Sequence, residues 1–585
     1  MKRIVILLLV ATVTLARADD SKIAPELRGY PSNQQANIIV QYAPGTQLSC
    51  SGLLGLVGCL LNNILQLGGT ILGDLPLING VVAQLDGNGI VSLSNQSNVL
   101  YISPDRVLTP NLSNAAPAVN AFAAWQSGYT GTGIGVALVD SGVSSHPDLK
   151  GGFLGGSRVV WNQSFIPGNS GTNDQYGHGT HIAGLIAGDG ASSTGANYSH
   201  TFQGIAPGAN LVNLRVLDQN GAGTDSSVIA AINTAIALKQ KFNIRVMNLS
   251  LGREVYESYR LDPLCQAVEA AWKNGIVVVV SAGNNGRTQA ADGYGTVTSP
   301  GNDPYVITVG AMKPMGTPTR VDDLIASYSS KGPTAGDAVV KPDVVAPGNL
   351  LVSLEAPNST LYNEFSTNQV PYSYYVNGGS SASSSSYFTL SGTSMAAGVV
   401  SGAVADLLQK SPHLTPDQVK ARLMKTAWKS LPSYSSYTDP VSGVTYTDQY
   451  DIFTVGAGYV DLEAAMVNTD LASGTAMSPI AQFNSTTNTV FLKADRSAVW
   501  NTSATWSNAA VWGSSQFVVG SAAMTATGTQ SMLSGSNALW GGNALWGGNA
   551  LWGGNALWGG NALWGGNALW GGNALWGGSV PTGEN

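Results

Sequence analysis

The chain has 585 residues, 27 basic and 34 acidic, for a net charge of −7. Only 10% of residues are charged, against roughly 25% in an ordinary soluble domain. No stretch concentrates Lys and Arg, which excludes a nucleic-acid binder that must displace counterions from phosphates. The 44% apolar content likewise excludes a highly charged disordered chain, and three cysteines are too few for a disulfide scaffold.

Lys2 and Arg3 precede an apolar run from Ile4 to Leu15 and then Ala16-Arg17-Ala18. A positive end, a short apolar centre and a small-x-small site predict a secretory signal over residues 1–18, too short to span a membrane. Residues 19–107 read as a small α+β unit. Asn37–Tyr42, Thr70–Leu72, Val81–Ala83 and Val99–Ile102 are strand-like. Leu53–Leu67 is helical in pattern, as is Asp86–Leu93 despite Gly87 and Gly89. The order β-α-β-β-α-β is that of a ferredoxin-like split unit. Cys50 and Cys59 are close enough in sequence to bridge in an oxidising compartment. Residues 108–117, with two prolines, read as a linker.

Residues 118–468 change pattern. Short apolar runs at Ile134–Val139, Leu211–Val216, Val246–Leu249, Ile276–Val280 and Val306–Val309 alternate with helical patterns at His181–Ala187, Ser226–Lys239 and Pro263–Asn274. This predicts an α/β, doubly wound, mainly parallel sheet with its chemistry at the carboxyl ends of the strands. Cys265 falls in the last of these helices and reads as a buried, inert thiol. Residues 469–536 read as a linker with degenerate repeats, Trp500, Trp506 and Trp512 lying six apart. Residues 537–578 are seven identical copies of Asn-Ala-Leu-Trp-Gly-Gly, followed by a tail over 579–585. No charge occurs from Ser497 to Gly583. The repeats read as a separate, flexible and adhesive module suited to surface attachment or self-association.

Three short motifs carry the chemistry. Val139-Asp140-Ser141-Gly142 ends the first core strand, Gly177-His178-Gly179-Thr180-His181 opens a helix, and Gly392-Thr393-Ser394-Met395-Ala396 opens another. Singly, each has a plain reading: a strand-end turn, a core histidine, a helix cap. Together they supply a serine, a base to take its proton and a carboxylate to hold the base's tautomer, in the order Asp, His, Ser. No His/Cys cluster has zinc-ligand spacing, so no metal is expected in the reaction. An esterase of the α/β-hydrolase type would need Gly-x-Ser-x-Gly and another residue order.

These motifs resemble the three signatures of the subtilisin-like serine proteases. Ser281-Ala282-Gly283-Asn284, Lys341-Pro342-Asp343 through Gly348, and Leu414-Thr415-Pro416 through Lys420 match in the same order. The resemblance implies a subtilisin-like catalytic domain over 118–468, with Asp140 as orienting acid, His178 as general base and acid, and Ser394 as nucleophile. It implies Asn284 as oxyanion donor, a turn-forming asparagine being the plain alternative. Ser250-Leu251-Gly252 becomes one peptide-binding edge and Ser281-Ala282-Gly283 the opposite wall of the specificity pocket. The implied function is a secreted serine endopeptidase acting on protein or peptide substrates through an acyl-enzyme. The uncharged walls imply broad specificity with a weak preference for large apolar residues. Residues 19–107 resemble the inhibitory pro-region of such zymogens, a partner for the catalytic domain. The alternative is a surface or matrix protein acting through its Trp repeats, with the protease fold secondary or inactive.

Two stretches depart from the family pattern. A Ser/Tyr-rich insertion over 349–390, nearly pure serine from Ser380 to Ser386, reads as a mobile surface loop rather than a lid. Asp148 fits a calcium-ligand motif, whereas 187–203 supplies only Asp189 as a carboxylate. The resemblance implies no cofactor for catalysis and leaves structural calcium open.

Overall fold

The computed structural model describes residues 19–24, 27–43, 60–75, 79–104, 111–112, 115–151, 156–288, 292–484, 489–501, 504–512 and 583–584, with short strands at 518–519, 522–523, 530–531 and 575–576. The signal stretch, Cys50, Cys59 and all of the repeat region except 575–576 lie outside the described residues. The chain divides into two units, Met1–Thr109 and Pro110–Asn585. Among the described residues, no helix is long and apolar enough to cross a membrane.

In the first unit, four strands lie side by side in the order Thr70–Leu75, Gly80–Asp86, Gln35–Tyr42, Val99–Pro104, every neighbour antiparallel. Alternation sets one face: Ile38, Val40 and Tyr42 are buried with Val81, Ala83 and Leu85. Ile90 and Leu93 of helix Gly87–Ser94 close over them, as does Ile64 of helix Leu60–Gln66. The glycines do not break the Gly87–Ser94 helix. Asp86 caps it by accepting from Gly89 N at 2.8 Å, and Gly87 abuts the Tyr30 carbonyl where a Cβ would not fit.

The second unit is built on an eight-stranded sheet. Its path runs Leu324–Ile325, Ile307–Lys313, Val277–Ser281, Ile244–Leu249, Gly135–Asp140, Asn210–Arg215, Val159–Ser164, with Val344–Pro347 also paired to Ile307–Lys313. All these pairings are parallel except that of Leu324–Ile325. Helices His178–Ala187 and Thr393–Lys410 pack together beside the sheet, while Asp225–Phe242 and Pro263–Lys273 form a second packed pair. Strand Gly135–Asp140 lies between Asn210–Arg215 and Ile244–Leu249. The chain leaves it first to one side and then to the other, which opens a crevice at its carboxyl end.

Behind this crevice, Asp343 is buried between two lysines, with Lys341 Nζ at 2.7 Å and Lys420 Nζ at 3.1 Å. Lys420 also donates to the carbonyls of Pro304 and Val306. These bonds tie together two of the stretches that accompany the motifs in sequence.

Several expectations change. Part of the stretch read as a linker belongs to the second unit: Asn111–Leu112 pairs with His200–Thr201, and Ala115 and Ala116 are buried. The serine-rich insertion is not a loose loop. Ser383–Leu390 is an eight-residue strand, antiparallel to both Leu351–Leu354 and Gln369–Pro371. Its alternate residues Ser384, Phe388 and Leu390 are buried, and Tyr375 Oη donates to Ser384 Oγ at 3.0 Å. The degenerate repeats are not separate either. Trp500, Trp506 and Trp512 are buried in the core of this unit, Trp500 Nε1 donates to the Met477 carbonyl at 2.7 Å, and Lys425 Nζ lies 4.8 Å from the Trp506 ring. Cys265 is fully buried and reduced, donating to Asn302 Oδ1 at 3.3 Å.

Candidate active site

Asp140 ends its strand and His178 begins its helix, both buried. His178 Nδ1 lies 2.8 Å from Asp140 Oδ1, which also accepts from Ser141 N at 2.7 Å. That contact fixes the tautomer: Nδ1 donates to the carboxylate, and Nε2 is left to act as a base. The two residues can sit so close because Gly179 packs against the Gly142 carbonyl and the Asp140 side chain, where a Cβ would collide. Burial opposes a charged imidazolium at His178. The Asp140 carboxylate, with its hydrogen bond and the charge of Asp174, overcomes this and raises the pKa above the ordinary 6.5.

Asp174 was not singled out from the sequence. Its carboxylate, itself buried, accepts from Gly177 N at 2.7 Å, Thr180 N at 2.7 Å and Ser141 Oγ at 2.8 Å. It therefore pins the first turn of the His178 helix to the end of the Asp140 strand. The available signal was an acidic residue just ahead of a Gly-flanked helix start, where the helix dipole favours negative charge. His181, one turn nearer its core, contacts the carbonyls of Leu351 and Phe388 at 3.1 Å, and burial holds it neutral, with a pKa near 3.

The helix of Ser394 meets that of His178 one turn in from each amino end: a Cβ on Gly398 would lie 3.4 Å from Ile182. Ser394 and His178 thus occupy matching positions on adjacent helices. Ser394 Oγ donates to the Ser250 carbonyl at 3.2 Å, and Ser250 Oγ donates to the Ser394 carbonyl at 2.9 Å. Asn284 follows strand Val277–Ser281, and its Oδ1 accepts from Thr393 N at 2.9 Å. Thr393 Oγ1 in turn accepts from Gly283 N at 3.1 Å. Thr393, quoted in the motif but given no role there, joins the asparagine loop to the serine helix.

Ser250, Leu251 and Gly252 leave the end of strand Ile244–Leu249, while Ser281, Ala282 and Gly283 leave its neighbour Val277–Ser281. Thr298 ties the two segments. Its N–H donates to the Ala282 carbonyl at 3.0 Å, and a Cβ on Gly252 would lie 2.6 Å from its Oγ1. Arg253 and Ser299 then exchange backbone bonds at 2.9 and 2.8 Å. Sequence reasoning missed Thr298, which lies in no signature.

The Asp148 site does not fit calcium. Tyr387 Oη donates to Asp148 Oδ2 at 2.6 Å and Ser192 N donates to Oδ1 at 2.8 Å. The buried Arg158 guanidinium donates to the Asp148 carbonyl and lies 3.4 Å from Asp189. Both carboxylate oxygens of Asp148 accept from protein donors, and the Arg158 cation lies against its backbone carbonyl and the Asp189 carboxylate. This chemistry weighs against calcium at Asp148, which the sequence left open.

The subtilase family model matches residues 131–470. The chain belongs to the subtilase family. It is similar to serine protease AprX of Bacillus subtilis (strain 168), 38% identical over 354 residues, which cover 59% of this chain and 73% of the relative. It is also similar to subtilisin E of the same strain, 32% identical over 369 residues, 62% of this chain and 79% of the relative. M-protease of Shouchella clausii (strain KSM-K16) is 30% identical over 399 residues, 68% of this chain and 81% of the relative. This subtilase is a subtilisin-like serine endopeptidase, with the α/β, mainly parallel sheet of its family.

Proposed function

We propose that this subtilase cleaves peptide bonds with Ser394 as nucleophile, His178 as general base and acid, Asp140 as orienting acid and Asn284 as oxyanion donor. The observation that carries the reading is the 2.8 Å contact between His178 Nδ1 and Asp140 Oδ1. It leaves Nε2 as the basic nitrogen, beside the amino end of the Ser394 helix. The Ser394 hydroxyl gives its proton to that base in the reaction. The proton passes to Nε2 as Oγ attacks the peptide carbonyl, and is then delivered to the leaving amine. Water, deprotonated by the same nitrogen, releases the acyl group and restores Ser394. The oxyanion forms at the helix start, against the Ser394 backbone N–H and the Asn284 amide. The subtilase needs no catalytic cofactor for these steps.

Ser250-Leu251-Gly252 and Ser281-Ala282-Gly283 form the substrate-binding walls in this reading, with Thr298 between them. Their small, uncharged residues support broad specificity with a weak preference for large apolar side chains. Residues 1–18 direct export, and 19–107 act as an inhibitory and folding pro-region removed by self-processing. The split α+β topology of the first unit supports that role. Mass spectrometry of the secreted protein's termini tests the scheme. The wild-type chain is expected to begin between Asp105 and Val119 and the Ser394→Ala chain to retain residues 19–107. Identical amino termini in the two forms would remove self-processing from the account.

A further inference from the structure

Glu584 is buried in the catalytic unit, 1% exposed, although it is the penultimate residue of a tail that carries no other charge after Arg496. One carboxylate oxygen lies 3.0 Å from Arg287 Nη2 and accepts from Ser327 N at 2.9 Å, with the Ser327 hydroxyl also donating to it. Lys313 Nζ stands 3.9 Å from the other oxygen. The Glu584 backbone is held as firmly. Its N–H donates to Asn349 Oδ1 at 2.9 Å and its carbonyl accepts from Asn349 Nδ2 at 2.7 Å. One asparagine amide thus pairs with a peptide unit as a neighbouring strand would. Gly583 abuts Ser391 and Leu350, where a Cβ would not fit. The rings of Tyr437 and Tyr446 lie 5.0 and 5.6 Å from the Arg287 guanidinium. This is a built receptor for a glycine followed by a glutamate.

Its position gives it meaning. Arg287 lies three residues beyond Asn284, and Ser391 three residues before Ser394. A second anchor stands near His178. Leu575–Trp576 pairs antiparallel with Ala222–Gly223. The adjoining Gly221 packs against the Tyr176 ring, whose centroid is 6.5 Å from that of His178. The same stretch hangs from the Asp140 carbonyl, which accepts from Val216 N at 2.8 Å. One anchor is therefore near the Asp140–His178 pair in space, and the other is near Asn284 and Ser394 in sequence.

We propose that Arg287, Ser327 and Asn349 form a binding site for an acidic peptide segment, filled in cis by Glu584, and that the carboxyl-terminal tail, anchored here and at Ala222–Gly223, is an intramolecular competitor of substrate. The competition rests on the function proposed above; the receptor itself does not. Strand addition at Ala222–Gly223 supplies sequence-tolerant affinity, and the Glu584 receptor supplies the register. A tethered ligand of even modest intrinsic affinity competes well because its effective concentration is high.

Two measurements test this. In the first, a chain carrying Ser394→Ala and ending after Ala574 is titrated with a fluorescent peptide of residues 575–585. Saturable binding is expected, weakened at least tenfold by Glu584→Ala in the peptide or by Arg287→Ala in the protein. No binding, or binding indifferent to both changes, overturns the receptor. In the second, the active chain with and without residues 575–585 hydrolyses a short uncharged peptide. Removing the tail is expected to lower KM severalfold at unchanged kcat, and added peptide 575–585 to raise it again. An unchanged KM overturns the competition. A chain inactive in both forms, yet binding the peptide through Glu584, would fault the catalytic reading and the competition built on it while leaving the receptor standing.

Discussion

The backbone N–H of Thr393 donates to Asn284 Oδ1 at 2.9 Å, and this bond fixes the orientation of the asparagine amide. A backbone N–H can only donate, so the atom opposite it is the amide oxygen and the NH₂ group is turned the other way. Thr393, which precedes the proposed nucleophile, thereby orients the amide of the proposed oxyanion donor.

Asn284→Ala is expected to lower kcat by about 10²–10³, the range established for such a donor in a subtilisin, with little change in KM. Thr393→Val keeps the backbone donor but loses the hydroxyl that holds Gly283, and a smaller loss of about tenfold in kcat is expected. Steady-state kinetics on both variants checks the order. A Thr393→Val enzyme worse than Asn284→Ala would contradict it.

The raised pKa of His178 has a sign that can be followed through. The base must be neutral, so kcat/KM should rise with pH along a limb whose midpoint lies above 6.5. Asp140→Asn removes the charge that offsets burial. The midpoint should then fall below that of the wild type, and the rate at the plateau by about 10⁴. Because the folded pKa is raised, proton uptake at His178 stabilises the fold fully below pH 6.5, and that contribution is lost as pH rises through the folded value. Urea denaturation at both ends of this window should show Asp140→Asn losing more stability at the acid end. A limb unmoved by Asp140→Asn would assign the titration to another group.

Tyr387→Phe leaves the buried Asp148 carboxylate one donor short. A loss of about 1–3 kcal/mol in unfolding free energy is expected, with kcat for a small peptide unchanged. Millimolar calcium should not restore it, because the Arg158 cation still lies against the Asp148 carbonyl and the Asp189 carboxylate. Recovery of the wild-type midpoint by calcium would show that the site takes the ion after all.

Trp512→Ala and Trp500→Ala should each cost about 3–5 kcal/mol, the range for emptying a large aromatic site in a core. The two rings pack edge to face with centroids 5.0 Å apart, so the double variant should lose less than the two single losses combined. Denaturation midpoints near wild type for either variant would place these tryptophans outside the core.

What was legible in the sequence follows from which forces shape each element. The parallel strands announced themselves because both faces are buried: Val277, Val278, Val279 and Val280 are all inside and all apolar. The motif residues were legible because each closes a strand or opens a helix next to glycine. Ser383–Leu390 was not, since its inward residue Ser384 is polar and is satisfied by Tyr375 from the short helix nine residues upstream. Asp174 left only a faint signal: an acidic residue ahead of a helix start is common, and a carboxylate that caps a helix from four residues away has no fixed spacing to single it out. Trp500, Trp506 and Trp512 misled by resembling the repeats that follow. Their spacing is that of the repeats, but their partners, Met477 and Lys425 among them, are in the catalytic unit.

The central claim is that Ser394 is the nucleophile activated by His178. Active-site labelling with a serine-directed phosphonylating reagent, read by peptide mass mapping, tests it most directly. The wild-type chain should carry one phosphonyl group, on Ser394, with hydrolysis of casein lost in proportion to labelling. His178→Ala should label far more slowly, and Ser394→Ala neither label nor hydrolyse. A label on any other serine, or casein hydrolysis by Ser394→Ala at the wild-type rate, would contradict the account.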